Sequence, residues 1–504
     1  MDTALDFRPD DDALEPSPST PAASFELPAP RTRREHDLLG ELDIPIDAYW
    51  GVHTLRAVEN FPITGVPIGH FPDLVRALVL VKQAAARANR RLGHLPPARA
   101  DAIERACRRI IADPGFAREF VVDAVQGGAG TSTNMNANEV IANVALELIG
   151  RPRGDYGAIH PLDDVNMAQS TNDAYPTALR LSVIFAAHGL STALQDLAFA
   201  FKAKAVEFAD VLKIGRTQLQ DAVPMTLGQE FDAYGVTISE DVDRLAEAAN
   251  LLREVNLGAT AIGTGVNADP RYASLAVAEL ARLSGERLTL AANLIEATSD
   301  MGAFVFFSGV LKRIAVKLSK ICNDLRLLSS GPRAGFSEIR LPAAQAGSSI
   351  MPGKINPVIP EVVSQVAYLV VGHDLTVTMC AEGGQLQLNA FEPTIGYSIL
   401  TSLRMLTNAV ETLNQRCVAG IEADRKRCLE LVENSVGLVT ALAPMLGYEV
   451  CSHIARRALA ENRRVADIVL EEGLMSQSQL DELLSVENMT RPTRMASPTF
   501  APRG

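Results

Sequence analysis

Residues 304–328 read FVFFSGVLKRIAVKLSKICNDLRLL. Their apolar positions are Phe304, Phe307, Leu311, Ile314, Leu318, Ile321, Leu325 and Leu328, spaced alternately by three and four residues. Side chains three and four apart share one face of a helix, so this spacing is the seam of a long helix in a bundle. Leu190, Leu194, Leu197, Phe201 and Phe208 mark a second long helix, and Phe231, Tyr234, Ile238, Val242 and Leu245 a third. Three such helices predict a long bundle in the middle of the chain. The stripes read as core, with an intersubunit face as the alternative for a sustained seam. Strand signals are sparse and short, and no fixed-period repeat is present. The fold class is therefore mainly α.

The chain has 504 residues, enough for roughly two to four domains or one large helical assembly. Hydrophobic residues make up 47% and charged residues 21%, the balance of a globular enzyme. A net charge of −13 argues against non-specific nucleic-acid binding, which needs a basic surface, and no nucleic-acid partner is expected. A small anionic substrate is not excluded, because a local site can be positive on an acidic protein. The six cysteines form no CxxC pair, which predicts reduced thiols and a cytoplasmic location. The eight histidines make no HExxH pattern, so no metal site is expected. No segment reaches the roughly 18 consecutive apolar residues of a membrane span, and no membrane partner is expected. Residues 1–35 carry six prolines and the run Asp10-Asp11-Asp12, and read as a disordered tail without a secretory signal. Arg31, Arg33 and Arg34 at its end read as a solvated patch.

Between the helices lie loops rich in Gly, Ser, Thr and Asn, at 127–138, 163–173, 215–221, 258–267 and 347–356. In a helical protein such loops are where chemistry sits, although any one of them alone reads as helix caps and turns. The most informative is Gly347-Ser348-Ser349-Ile350-Met351-Pro352-Gly353-Lys354-Ile355-Asn356-Pro357, followed by Glu361. It is not a phosphate loop, because its glycine spacing is one residue too long and Ile355 replaces the Ser/Thr that would bind magnesium. Two glycines, two hydroxyls, the Lys354 ammonium and the Asn356 amide, with a helix starting near Pro357, make an anion-binding constellation. Thr131 to Asn134, Ser170 to Asn172 and Thr217 to Gln220 add hydroxyls and amides, which suits a small polar anion held by many hydrogen bonds.

The string from Gly347 to Glu361 resembles the signature of the aspartase/fumarase superfamily. So do GVHTLRAVENF at 51–61, GRTQLQDAVPMTLGQEF at 215–231, EVNLGATAIGTG at 254–265, LIEATSD at 294–300 and SKICNDLRLLSSGPRAG at 319–335. The resemblance covers about residues 36–492. It implies a three-domain chain with a central long-helix bundle, forming a homotetramer with a multi-helix core. The expected division is a tail at 1–35, an N-terminal domain at 36–171, the bundle at 172–427, a small C-terminal helical domain at 428–492 and a flexible tail at 493–504. The implied reaction is reversible anti-elimination of ammonia from L-aspartate to give fumarate, through an enediolate. No organic cofactor is required, with Mg2+ admitted only as an activator.

The same resemblance makes Ser348 the general base and Lys354 its catalytic partner. It places Thr131, Ser170, Thr171 and Ser349 around the reacting carboxylate. Thr217, Lys354 and Asn356 hold the other carboxylate, and Asn172 lies near the amino group. Each active site would combine Thr131 and Ser170–Asn172 from one subunit, Thr217–Gln218 from a second and Ser348–Asn356 from a third. Fumarases of the superfamily carry histidine where this chain has Gln218. Malate must lose a hydroxyl that wants protonation, whereas aspartate loses a protonated amine as neutral ammonia, so a neutral Gln218 favours ammonia loss. Acidic Asp164 would repel an anion near 160–166, so no secondary anion site is expected there. The alternatives are a class II fumarate hydratase, a catalytically silent structural member, and a lyase for a larger adduct such as argininosuccinate or adenylosuccinate.

Overall fold

A computed structural model of the protein describes residues 31–491. The chain starts with an antiparallel hairpin, β1 (Thr32–Asp37) and β2 (Gly40–Pro45), followed by helix α1 (Val52–Asn60). Helices α2 (Pro72–Leu92), α3 (Pro97–Ala112) and α4 (Thr131–Leu148) build the first packed layer. Then come α5 (Thr171–Glu207), a second hairpin of β3 (Leu212–Thr217) and β4 (Gln220–Thr226), and α6 (Leu227–Leu251). The short α7 (Tyr272–Ser284) and α8 (Leu294–Ser299) lead into α9 (Gly302–Leu328), α10 (Val358–Glu382) and α11 (Glu392–Arg416). Smaller helices from Arg425 to Thr490 complete the described chain.

Helices α5, α6, α9, α10 and α11 pack against one another as the bundle, and the mainly α fold agrees with the sequence pattern. All eight seam positions from Phe304 to Leu328 are buried, as are Leu190, Leu194, Leu197, Phe201 and Phe208 on α5. These seams face the core of their own chain rather than a partner. Among the described residues an apolar face is left open on α10, where Tyr368, Leu375 and Met379, spaced by seven and four residues, are each 60–63% exposed. By length and composition two helices, α5 and α10, are apolar enough to cross a bilayer, although the sequence shows no unbroken apolar run. The apolar window of α5 is 72% buried in the fold and that of α10 only 33%.

The tail expected at 1–35 ends earlier. Residues 1–30 lie outside the described chain, as does the expected tail at 493–504, but Thr32–Glu35 belong to β1. Arg33 is the cause. Its guanidinium pairs with Glu35 at 2.8 Å and donates to the carbonyls of Pro45, Ala48 and Trp50. It is a largely buried staple rather than a solvated charge, whereas Arg31 and Arg34 are exposed, as expected of the cluster. Behind the staple, Glu139 on α4 accepts the N–H groups of Gly51, His53 and Thr54 at 2.8–3.1 Å, a buried carboxylate set on the positive end of α1. The boundary drawn at 171/172 falls in the first turn of α5. The one at 427/428 cuts the helix Arg425–Asn434, whose Cys428 packs on the main core and Val432 on a second, C-terminal core.

Leu318 sits fully buried in the α9 seam. Leu318→Ala should lower unfolding free energy by about 3 kcal/mol in chemical denaturation, through lost transfer energy plus the cavity left behind. A change below about 1 kcal/mol would mean that the seam repacks freely around position 318.

Candidate active site

Two helix beginnings present the first group of polar residues. Gly130 precedes α4 with φ +88°, and a Cβ there would lie 2.5 Å from the ring of Tyr175 on α5. Only glycine therefore lets α4 and α5 start in contact. Thr131, the first residue of α4, is exposed and donates its hydroxyl to the carbonyl of Gly128 at 2.7 Å. Ser170 caps α5. Its Oγ accepts from the Asn172 N–H, while Asp173 Oδ1 accepts from the Ser170 N–H at 2.9 Å, a reciprocal box that fixes the turn. Thr171 Oγ1 accepts from Asn134 Nδ2 at 3.2 Å, and Asn172 Nδ2 donates to the carbonyl of Ala261 at 2.7 Å. The structure thus brings Thr131, Ser170, Thr171 and Asn172 together at one end of the bundle.

Beneath them lies a buried polar layer that the loop motifs do not announce. Lys82 on α2 has no solvent exposure, and its Nζ donates to Asn134 at 2.6 Å, Asn166 at 2.8 Å and Gln169 at 2.9 Å. All three acceptors are neutral amide oxygens, so burial dominates and pushes the ammonium down to about 7. Asp173, also fully buried, accepts the N–H groups of Gly258 and Thr260 at 2.9 and 3.0 Å, and burial raises it to about 6 against those hydrogen bonds. Pro176 lies inside α5 and has no N–H for the Asn172 carbonyl. Asn256 Nδ2 supplies the missing donor at 3.0 Å. A Lys82-Gln83 pair inside the otherwise apolar window 78–86 and a proline just past the first turn of a helix were the available sequence signals.

The π-type turn Pro161–Val165 adjoins this layer. Asp164 is buried there, accepts the His160 N–H at 2.8 Å and pairs with Arg99 at 2.8 Å. The carboxylate expected to stand as an isolated negative charge near 160–166 is therefore paired with a cation.

Thr217 and Gln218 stand on the exposed tip of the β3–β4 hairpin. Gln218 and Leu219 both have left-handed backbone, φ +54° and +62°, the geometry of a tight turn usually filled by Asn or Gly. A register shift between Ile214 and Arg216 re-aims the tip.

The third group is the loop 347–356. Gly347 N–H donates to the Lys354 carbonyl and Asn356 Nδ2 to the Gly347 carbonyl, both at 2.9 Å, closing the loop at its neck. A Cβ on Gly347 would lie 2.5 Å from that Lys354 oxygen. Ser348 Oγ accepts two backbone N–H groups, from Ile350 at 3.2 Å and Met351 at 3.0 Å. Ser349 and Lys354 are exposed, and α10 starts just beyond Pro357. Two amide dipoles aimed at one hydroxyl oxygen stabilise negative charge there, which is what a serine base needs. Among the described residues no hydrogen bond or ion pair joins this loop, the hairpin tip and the α4/α5 group within one chain.

The chain is similar to known proteins over most of its length. The family profile described as Lyase matches residues 40–372, and the one described as Fumarase C C-terminus matches residues 438–491. An aspartate ammonia-lyase from Pseudomonas aeruginosa is 61% identical over 92% of this chain and 98% of its own. The aspartate ammonia-lyase of Escherichia coli K12 is 52% identical over 92% of this chain and 97% of its own. A solved fumarate lyase:delta crystallin from Brucella melitensis, bound to cobalt, superposes with a TM-score of 0.89 at 60% identity, covering 92% of this chain and 100% of that one. A class II fumarase from Schistosoma mansoni gives 0.86 at 34% identity, covering 91% and 99%.

The buried lysine gives a pH signature. Its folded-state value of about 7 lies below the ordinary 10.5, so between those values the folded chain binds fewer protons than the unfolded one. The contribution of Lys82 to stability therefore grows as pH rises through that window and is lost as pH falls through about 7. Lys82→Met should remove that slope from a series of denaturation midpoints taken across the window. Parallel pH profiles for wild type and variant would show that Lys82 keeps its charge in the fold.

Proposed function

The chain belongs to the aspartase/fumarase superfamily of lyases, and we infer from that membership that it is a carbon–nitrogen lyase converting L-aspartate reversibly to fumarate and ammonia. The observation that carries the reaction is identity of 52–62% to aspartate ammonia-lyases over more than nine-tenths of the chain. The S. mansoni fumarase shares the fold at lower identity. Gln218 favours ammonia as the leaving group, because a neutral amide suits departure of an already protonated amine and offers no acid for a hydroxyl.

In the proposed mechanism Ser348 removes the proton on the carbon bearing the side-chain carboxylate. The electron pair moves into that carboxylate to form an enediolate, then returns to make the carbon–carbon double bond as the C–N bond breaks. The C–N electrons leave with nitrogen, and the ammonium departs as neutral ammonia. What supports Ser348 is its pair of backbone N–H donors, which lower the cost of its alkoxide. Thr131, Ser170, Thr171 and Ser349 are the donors assigned to the enediolate, each contributing about 3–4 kcal/mol to barrier lowering where it is well aimed. Lys354, Asn356 and Thr217 take the other carboxylate, Lys354 as the cation in the loop that bears the base. Asn172 and Gln218 face the amine.

The proposed active form is a homotetramer with sites built from three subunits. Two features support it: among the described residues no hydrogen bond or ion pair links the three site groups within one chain, and the apolar window of α10 is only 33% buried. Catalysis is proposed to need no cofactor, with Mg2+ at most an activator. The same reading places the enzyme in the cytoplasm, where six free thiols persist.

Ultraviolet absorbance should show fumarate forming from L-aspartate and not from L-malate. Ser348→Ala should lower kcat by about 1,000-fold or more while the oligomer elutes as wild type. Near-normal turnover by that variant would remove Ser348 as the base, and fumarate from malate alone would turn the reading to a hydratase.

A further inference from the structure

Four charged side chains, Lys213, Arg216, Glu230 and Glu338, meet at the base of the β3–β4 hairpin, the first and last of them shielded from solvent and the other two partly exposed. Glu338 has no exposure and Lys213 is 2% exposed. Lys213 Nζ lies 2.6 Å from Glu230 and 3.0 Å from Glu338, and the Arg216 guanidinium lies 2.8 Å from Glu338. The guanidinium also stacks 4.0 Å from the centre of the Phe336 ring. Two cations and two carboxylates balance, but the pairing is uneven. Lys213 has two partners, whereas Glu338 is the one carboxylate paired with Arg216 among the described residues.

Arg216 immediately precedes Thr217 and Gln218, the two tip residues that face substrate. The tip is strained, with Gln218 and Leu219 both left-handed and neither a glycine. Such backbone persists only where its surroundings over-determine it. Here one side is held by the ion cluster. The other is held by Ser435, whose Oγ donates to Asp221 Oδ2 at 2.7 Å.

Glu338 is itself fixed through its backbone. Its N–H donates to the Leu328 carbonyl at the end of α9, and its carbonyl accepts from the Asp424 N–H, both at 2.9 Å. The next two residues, Ile339 and Arg340, pair with Ala423 and Glu422 respectively. The carboxylate therefore projects from a post anchored at two places far apart in sequence, independently of the charge it carries.

We propose that Glu338 is a positioning residue for the reaction, holding the hairpin tip through Arg216 so that Thr217 and Gln218 stand where substrate meets them. The proposal rests on the reading above that the tip contacts substrate. Its consequence is a division of effects. Removing the carboxylate releases the tip but leaves the Glu338 backbone, and so the start of the segment leading to Ser348, in place. Substrate binding weakens while proton removal is untouched.

The test is steady-state kinetics on the assembled enzyme with L-aspartate. Glu338→Gln and Arg216→Met should each raise KM by about 10-fold and leave kcat within about twofold of wild type. The double variant should be no worse than either single, because both remove one contact. Glu338→Asp, which keeps the charge, should recover part of the lost KM. An unchanged KM in Arg216→Met, a fall in kcat at constant KM in Glu338→Gln, or additive losses in the double variant would each overturn the proposal. Where Glu338→Gln fails to assemble, Arg216→Met decides alone, since it leaves Glu338 paired with Lys213. A wild type silent on aspartate would instead overturn the functional reading, whereas an active wild type beside variants of wild-type KM overturns only the role of Glu338.

Discussion

Asp173 accepts three backbone N–H groups, from Ser170, Gly258 and Thr260, at a position with no exposure to solvent. That carboxylate sits in the first turn of α5, where the helix dipole favours negative charge. It locks the residue that starts the helix to a loop nearly ninety residues further along the chain. Ser170, Thr171 and Asn172 take their positions from this one junction. Lys82 closes it from below by gathering the amide oxygens of Asn134, Asn166 and Gln169. The polar end of the bundle is thus organised before any substrate arrives, and pre-organisation of donors is the main source of catalytic power in reactions that build up carboxylate charge.

The remaining two groups use different supports. The hairpin tip stands on buried ions, and the 347–356 loop is closed at its neck by its own backbone and by the Asn356 amide. Rigid supports under the first two groups contrast with a largely exposed third group that carries the proposed base. A loop that must admit substrate and then exclude water is well served by that division.

How far the sequence announced this differs by residue type. The α9 seam was legible because eight apolar residues fall on one face and nothing else explains the spacing. For α10 the start near Pro357 was legible but not its buried side, because its apolar residues run around the whole circumference and periodicity gives no preferred face. The loops that carry the candidate site stand out in the sequence as runs of Gly, Ser, Thr and Asn, with Ser348, Lys354 and Asn356 as the candidates among them. The layer beneath was hidden. The environment of Lys82 depends on amides contributed by residues 134, 166 and 169, and no local pattern foretells that meeting. Arg33 was misread for the same reason, since the carbonyls it gathers lie twelve to seventeen residues away.

The contact between α5 and α11 sets a clock on synthesis. Helix α5 carries an apolar window long enough to cross a bilayer, and part of its cover comes from α11, which starts roughly 185 residues after α5 ends. A ribosome adding about 5–20 residues each second leaves that surface open for roughly 10–40 s. Nascent chains therefore pass through a sticky interval much longer than helix formation itself. Yield in a cell depends on chaperone supply and translation speed over residues 208–416, a stretch that includes both the hairpin and the loop bearing the proposed base.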